Sequence, residues 1–250
     1  MERSSSDWGG IIAAFILVLL FNGLANAIPL GGVSTGEVSA RYPSLFTPAG
    51  FTFGIWGVIY LALGVFTVWQ ALPAQRNNKT IARISRPFMA NCAANIAWLF
   101  AWHYELLWLS LAFMLAILYT LVVIYREVTA EYPKTPADLL ILRMPFSIYT
   151  GWITVATIAN ITCVQVGMGW ESAILSAVDW TLLKLAVAGA IGAIVIARVK
   201  DIAYILVIAW AAFGVASNQV DTPAVAGAAT TLSALAVLLA LNEVVRKVPR

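Results

Sequence analysis

Charged residues are scarce in this 250-residue sequence, where Asp, Glu, Lys and Arg together make up only 11% of the chain. A typical soluble domain carries about 25% charged residues. The hydrophobic share is 61% and the mean hydropathy is +0.87, which is more apolar sequence than a soluble core of this size can absorb. The composition therefore excludes an ordinary soluble domain and indicates a protein embedded in a membrane.

Cysteine and histidine are nearly absent, with two Cys and one His in the chain. Cys92 and Cys163 lie in separate apolar stretches without a Cys-x-x-Cys spacing, so we interpret them as small buried apolar residues rather than a disulfide or metal pair. His103 lies at the end of an apolar stretch. We expect a solvated side chain there, the alternative being an axial ligand to a tetrapyrrole.

Long apolar runs dominate what is present, and all twelve acidic residues fall between or at the ends of eight such stretches. Most reach the roughly 20 residues that a helix needs to cross a bilayer, and they are too long for barrel strands of about 10 residues. We predict an all-α polytopic bundle of about eight spans in one continuous membrane domain. The stretches run approximately 10–28, 50–72, 88–103, 106–125, 144–166, 180–197, 202–219 and 224–243.

Two features qualify these boundaries. The third stretch is short, so it must cross with little tilt, and Pro87 is expected at its start, where a missing N–H costs nothing. The longest connection, about 29–48, has no apolar period. It is interpreted either as a lid over the adjacent end of the bundle or as a solvated connector.

The distribution of Lys and Arg predicts the orientation. With a cytoplasmic N-terminus, thirteen cations fall inside and two, Arg41 and Lys184, fall outside, which follows the positive-inside rule and places both termini in the cytoplasm. The net charge of +3 then needs no nucleic-acid partner, because contact with anionic lipid explains it. The inner cations are Arg3, Arg76, Lys79, Arg83, Arg86, Arg126, Lys134, Arg143, Arg198, Lys200, Arg246, Lys247 and Arg250.

The first apolar stretch has two interpretations. It ends near Ala25-Asn26-Ala27, which has the small-x-small form of a signal-peptidase site. However, Glu2 and Asp7 offset the positive charge of Arg3 and the amino terminus, unlike the basic start of a secretory signal. We expect the first helix to be retained.

Aromatic and amide residues recur at helical spacing in the middle of the chain. In the third stretch Asn91, Asn95, Trp98 and Trp102 share one helical face, and in the fifth Tyr149, Trp152, Ala156 and Asn160 do so. Because amides are costly against lipid, these faces should turn inward. They form either the wall of a pocket for a flat ligand or packing contacts between helices.

Ionisable residues are missing from these faces, which carry no Asp, Glu, His or Lys in mid-membrane. General acid–base catalysis therefore has no evident agent, and a coupled ion transporter is disfavoured for the same reason. Lys184 lies one turn inside the sixth stretch, where we expect its amine to snorkel to the outer surface. The sequence thus predicts a protein that is not an enzyme.

Three segments resemble the translocator protein family, also called the tryptophan-rich sensory or peripheral benzodiazepine receptor family. Pro48 through Tyr60, with Trp56-x-x-x-Tyr60, is similar to the family's second helix, and Asn95-x-x-Trp98 is similar to its third. The most specific match is Tyr149-x-x-Trp152-x-x-x-Ala156-x-x-x-Asn160 in the fifth. The resemblance covers approximately residues 10–166, and three further helices follow it.

The resemblance implies a five-helix bundle over 1–166, followed by a three-helix membrane extension over 167–250. It also implies a pocket for a flat hydrophobic ligand, a tetrapyrrole or sterol, used in sensing or transport, and a homodimer or larger complex. The matched pocket positions are Trp56, Tyr60, Asn95, Trp98, Trp152, Ala156 and Asn160, with Trp108 as a looser match.

Departures from the family pattern leave alternatives open. Thr47 and Ala49 stand beside Pro48 where the family pattern has a proline pair. One alternative is an accessory subunit of a larger membrane complex, which includes complexes that carry pigments. Small residues in the sixth and eighth stretches allow the close helix approach that such an assembly needs. Light- or oxygen-dependent degradation of a bound porphyrin in a Trp-rich pocket is another.

Overall fold

A computed structural model describes residues 3–27, 32–130, 133, 135–170 and 175–247. Lys134 and Arg250, which enter the charge count above, lie outside these residues. Within them the chain is all-helical and has no β-strand, which confirms the predicted class. The α-helices are α1 (Ser5–Ala27), α2 (Thr35–Ala40), α3 (Ile55–Trp69), α4 (Lys79–His103), α5 (Leu107–Thr129), α6 (Met144–Gly167), α7 (Ala177–Val199), α8 (Ile202–Asn218) and α9 (Pro223–Lys247).

The eight predicted stretches correspond to eight long helices, α1 and α3 through α9. Within the part of the chain that the structure describes, six helical segments are long and apolar enough to cross a membrane: Ser5–Ala25, Gly50–Trp69, Leu107–Thr129, Asp138–Gly167, Ala177–Val199 and Pro223–Arg246. The other two long helices, α4 and α8, differ from them for separate reasons. The 17 residues of α8 span only about 25 Å at 1.5 Å per residue, and α4 is too polar.

The prediction of a short third span beginning after Pro87 was wrong. Helix α4 has 25 residues and contains Pro87 in its interior. The polar residues of α4 include Asn91 and Asn95, and both are buried, at 2% and 1% exposure. A helix whose polar face contacts protein does not need the uniform apolarity of a lipid-facing span.

The chain folds as two compact units, which we call unit 1 and unit 2. Unit 1 comprises Met1–Val38 and Trp56–Thr150, and unit 2 comprises Ser39–Ile55 and Gly151–Arg250. This division places the first turns of α6 in unit 1 and the remainder in unit 2. This division differs from the predicted one at residue 166, which stays a prediction.

In unit 1, α4 packs against both α1 and α5. Part of the core is an aromatic triad of Phe66, Phe88 and Phe146, whose ring centroids lie 5.0 to 6.0 Å apart. The α1 end is held by Arg3, whose guanidinium donates to the Gln70 carbonyl oxygen at 2.8 Å. Burial lowers the pKa of Arg3, and the nearby carboxylate of Asp7 opposes that effect.

In unit 2, α7, α8 and α9 pack against one another. Two residues, Lys200 and Asp201, join α7 to α8, so the two helices form a tight hairpin. Lys200 adopts a left-handed conformation with φ of 59°, and the Asp201 side chain accepts a hydrogen bond from the Tyr204 N–H at 3.1 Å. The carboxylate thereby caps the first turn of α8.

The 3₁₀ segment Gly50–Gly54 is held against α8 within unit 2. The Ala49 N–H donates to the Gly214 carbonyl oxygen at 3.0 Å, and the Trp210 indole N–H donates to the Thr52 carbonyl oxygen at 3.0 Å. A side chain at Gly214 would collide with Thr52 and Pro48. Glycine at 214 is therefore what permits the close backbone approach.

Candidate ligand-binding site

The polar centre of unit 1 is the side chain of Asn95 on α4. Its amide nitrogen donates to the Tyr149 hydroxyl on α6 at 3.2 Å, and its oxygen accepts from the Asn22 amide on α1 at 3.0 Å. Asn95 and Tyr149 are buried, with 1% and 3% of their surface exposed. One amide thus connects three helices in a region where unpaired polar groups are costly.

Two aromatic residues of α3 lie beside this amide. Trp56 and Tyr60 stack one turn apart, with centroids 5.4 Å apart and planes inclined by 24°, and Trp56 meets Tyr149 edge-on at 6.0 Å. Both α3 aromatics are only partly buried, so unit 1 presents an aromatic surface next to a buried, oriented amide.

A second aromatic pair lies further along α4. Trp98 and Trp102 stack with centroids 5.6 Å apart and an interplanar angle of 19°, and the Trp102 indole N–H donates to the Thr35 carbonyl oxygen at 3.1 Å. Trp98 is 8% exposed. The helical spacing of Asn95 and Trp98 thus places both side chains in the interior of unit 1, as the sequence pattern predicts.

The prediction of a solvated His103 was wrong. Its ring is buried at 3% exposure, and Nδ1 donates to the Leu99 carbonyl oxygen at 2.8 Å. Nε2 lies 3.5 Å from the Thr35 hydroxyl. Thr35 begins α2, which lies in the connection at about 29–48. The histidine therefore contacts a segment for which the sequence predicted no periodic structure.

Trp108 occupies a different environment from the other unit 1 candidates. It lies in the first turn of α5 and is 53% exposed. Amphipathic indoles are common at the membrane boundary, where one face is apolar and the ring nitrogen reaches water. The looser sequence match at this position therefore corresponds to a side chain outside the buried cluster.

The remaining three candidates, Trp152, Ala156 and Asn160, lie on the part of α6 that belongs to unit 2. Trp152 and Asn160 are both 2% exposed, and Phe53 meets Trp152 edge-on at 5.9 Å. Ala156 is partly buried. The common inward face predicted for these residues is present, while a single cavity shared with Trp56 and Asn95 stays a prediction.

Sequence reasoning missed a polar contact of α6 in unit 2. The Thr154 and Tyr204 hydroxyls are 2.8 Å apart, and Tyr204 is 2% exposed. The available signal was the run of hydroxyl residues on α6, Thr150, Thr154 and Thr157, which follows the helical period. This contact ties α6 to α8.

The snorkelling interpretation of Lys184 was wrong. The residue is 7% exposed, and its ammonium nitrogen lies 5.9 Å from the centroid of the Trp180 ring. A cation close to an indole face is electrostatically favourable. Lys184 therefore belongs to the interior of unit 2 and does not extend to the outer surface.

Cys92 and Cys163 are buried free thiols, as predicted.

Comparison with known protein families identifies the chain's relatives. The model of the TSPO-like protein family matches residues 9–242. The chain belongs to the family of TSPO-like proteins. The family match and the apolar helices together make it an integral membrane protein. No curated protein and no solved structure matches the chain.

The TSPO-like match is longer than the resemblance read from the motifs. It continues past residue 166 through α7 and α8 and into α9, so the three C-terminal helices are part of what this chain shares with its family. The motif positions in α3, α4 and α6 all lie inside the match. Unit 2 is therefore as much a part of the TSPO-like chain as unit 1.

Proposed function

We propose that this membrane protein binds a flat hydrophobic ligand, a tetrapyrrole or a sterol, for sensing or transport. The observation that carries the proposal is the Asn22–Asn95–Tyr149 hydrogen-bond chain beside the stacked Trp56 and Tyr60 in unit 1. Membership of the TSPO-like family supports it. Pockets of this kind combine apolar and aromatic walls with few oriented polar groups.

Each group has a stated role in this proposal. The indole of Trp56 and the phenol of Tyr60 offer faces for stacking, which favours a planar conjugated or polycyclic ligand. The Tyr149 hydroxyl accepts from Asn95 and keeps its own hydrogen for a ligand acceptor. Amides, phenols and indoles orient a ligand without supplying a general acid or base near neutral pH, so we assign binding rather than catalysis.

The test is quenching of tryptophan fluorescence by protoporphyrin IX in Asn95→Leu and Asn91→Leu proteins. Both asparagines lie on α4 one turn apart, but Asn91 donates to the Ile117 carbonyl oxygen and the Thr120 hydroxyl of α5. Asn95→Leu should weaken binding about fivefold or more, since loss of one hydrogen bond costs about 1 kcal/mol. Asn91→Leu should leave the affinity unchanged and lower only thermal stability.

Equal affinities in the two variants would contradict the proposal, because the substitutions are chemically identical and differ only in the contacts that they remove. A Trp56→Leu variant adds a second test. It should lose both affinity and part of the quenching signal, so its binding is measured by porphyrin absorbance instead. An unchanged porphyrin affinity in Trp56→Leu, measured by absorbance titration, would show that α3 does not face the ligand.

A further inference from the structure

A cavity of about 450 Å³ lies in unit 2, where α8 ends and α7 begins. Its volume is within the range of ordinary small-molecule sites, roughly 300–1,000 Å³. The lining comes from the connection that precedes α3 and from the two helix ends, and none of the described residues in it carries a charged side chain. The lining residues are Ser39, Ala40, Pro43, Ser44, Leu45, Thr47, Ala177, Asn218 and Gln219.

The buried polar residue in this wall is Gln219, with 9% of its surface exposed. Its backbone carbonyl accepts from the Thr222 N–H at 2.9 Å, but no hydrogen bond to its side-chain amide is found among the residues that the structure describes. Because Gln219 lines the cavity, a group bound there can exchange hydrogen bonds with both the donor and the acceptor of its amide.

Three neighbouring polar residues, Asn218, Ser44 and Thr47, make contacts that brace the wall. The Asn218 amide donates to the Thr47 carbonyl oxygen at 3.0 Å, and the Ser44 and Thr47 hydroxyls are 3.0 Å apart. These contacts fasten the connection to the end of α8. The cavity therefore has a defined wall, and Gln219 is the buried amide in it that can meet a bound group.

The start of α7 adds a preference for an electron-rich group. Ala177, its first residue, lines the cavity, and Ser176 accepts a hydrogen bond from the Asp179 N–H at 3.1 Å. The other first-turn N–H groups of a helix have no intrahelical acceptor and carry partial positive charge. A hydroxyl group both accepts from such donors and pairs with the donor and acceptor of a glutamine amide.

We propose that this cavity binds the uncharged, hydroxyl-bearing headgroup of an amphiphile. An uncharged group fits because the described lining residues offer no charged partner, and a hydroxyl fits because it can pair with the Gln219 amide and the α7 end. The same chemistry is offered by a membrane lipid such as a monoacylglycerol and by free glycerol. This site in unit 2 is independent of the ligand proposed for unit 1.

The experiment uses an Ala40→Cys protein in phosphatidylcholine nanodiscs, with labelling by a membrane-impermeant maleimide. Ala40 lines the cavity, whereas the two native cysteines are buried. Monooctanoylglycerol at several times its Kd should slow labelling about fivefold, because only the unoccupied fraction reacts. Glycerol tests the free headgroup, and octanoate tests a charged head on the same acyl chain.

Three substitutions in the Ala40→Cys background test whether the protection comes from a ligand in the cavity. Gln219→Leu should raise the concentration for half-protection about fivefold, while Gln165→Leu, the same change at a residue outside the lining, should not. Ala177→Trp, which fills the cavity from an exposed position, should abolish protection without lowering the thermal midpoint. The Ala177→Trp variant still tests whether the cavity is the binding site if Gln219→Leu does not fold.

The outcomes distinguish a membrane lipid from a free polyol as the source of the bound hydroxyl group. Protection by monooctanoylglycerol alone supports a lipid headgroup, and protection by glycerol as well supports a free polyol. Equal protection by octanoate would overturn the proposal, because the headgroup would then not be recognised. Protection by none of the three probes, or protection that persists in Ala177→Trp, would overturn it as well.

Discussion

The Asn22 amide on α1 donates a hydrogen bond of 3.0 Å to the Asn95 side-chain oxygen on α4, although the two residues are 73 positions apart. The second hydrogen of the Asn22 amide goes to the Val18 carbonyl oxygen at 3.0 Å. Helix α1 is otherwise strongly apolar. This amide pair therefore fixes which face of α1 meets α4, a choice that apolar packing in lipid leaves weakly determined.

Asn22→Leu should reduce the stability of unit 1 by about 1 kcal/mol, the scale of hydrogen bonds between membrane helices. The measurement is thermal or denaturant unfolding in detergent. In a double-mutant cycle with Asn95→Leu, the two effects should be clearly non-additive because the residues share one hydrogen bond. Additive losses would show that each asparagine acts through separate partners.

Ala156→Phe should abolish porphyrin binding and leave thermal stability intact, if α6 lines a ligand site. Should Ala156 instead only pack against protein, the added ring would destabilise the fold by about 1–3 kcal/mol. Ala193→Phe, at an exposed alanine of α7, is the matched control and should change neither property. If a stable Ala156→Phe protein binds porphyrin with undiminished affinity, this face of α6 does not line the ligand site.

Gly214→Ala should destabilise unit 2 by about 1–3 kcal/mol. The new methyl group would meet the side chains of Thr52 and Pro48, and Thr52 is fully buried. Gly227→Ala on α9 is the control, since nothing lies within 4 Å of a methyl group there. It should stabilise the helix by about 0.5–1 kcal/mol. Similar unfolding midpoints for the two variants would contradict the close approach at Gly214.

We predict that both termini are cytoplasmic and that all eight long helices cross the membrane. Reporter fusions at Asn77 and Glu171 should then locate on opposite sides, because α4, α5 and α6 lie between these positions. Glu171 itself is outside the described residues. The same experiment tests α4, which is too polar to qualify as a span on apolarity alone, since reporters on one side would mean that it does not cross.

The eight long helices and the all-α class were predictable from the sequence because hydrocarbon forces every long apolar run into a helix. The inward position of Asn95, Trp98, Trp152 and Asn160 was predictable as well, because amides and indoles at helical spacing define a face that lipid disfavours. The boundary at Pro87 was not predictable. Proline favours a helix start, but the buried contacts of α4 outweigh its missing hydrogen bond.

The sequence by itself determined an all-helical membrane protein, the family motifs and the polar faces of α4 and α6, since each depends on local periodicity and on transfer to lipid. Tertiary structure alone decided which residues meet: Asn95 with Asn22 and Tyr149, His103 with Thr35, and Gly214 with Thr52. It also placed Lys184 in the interior of unit 2. Such pairings depend on the register and rotation of helices far apart in the chain, which periodicity does not specify.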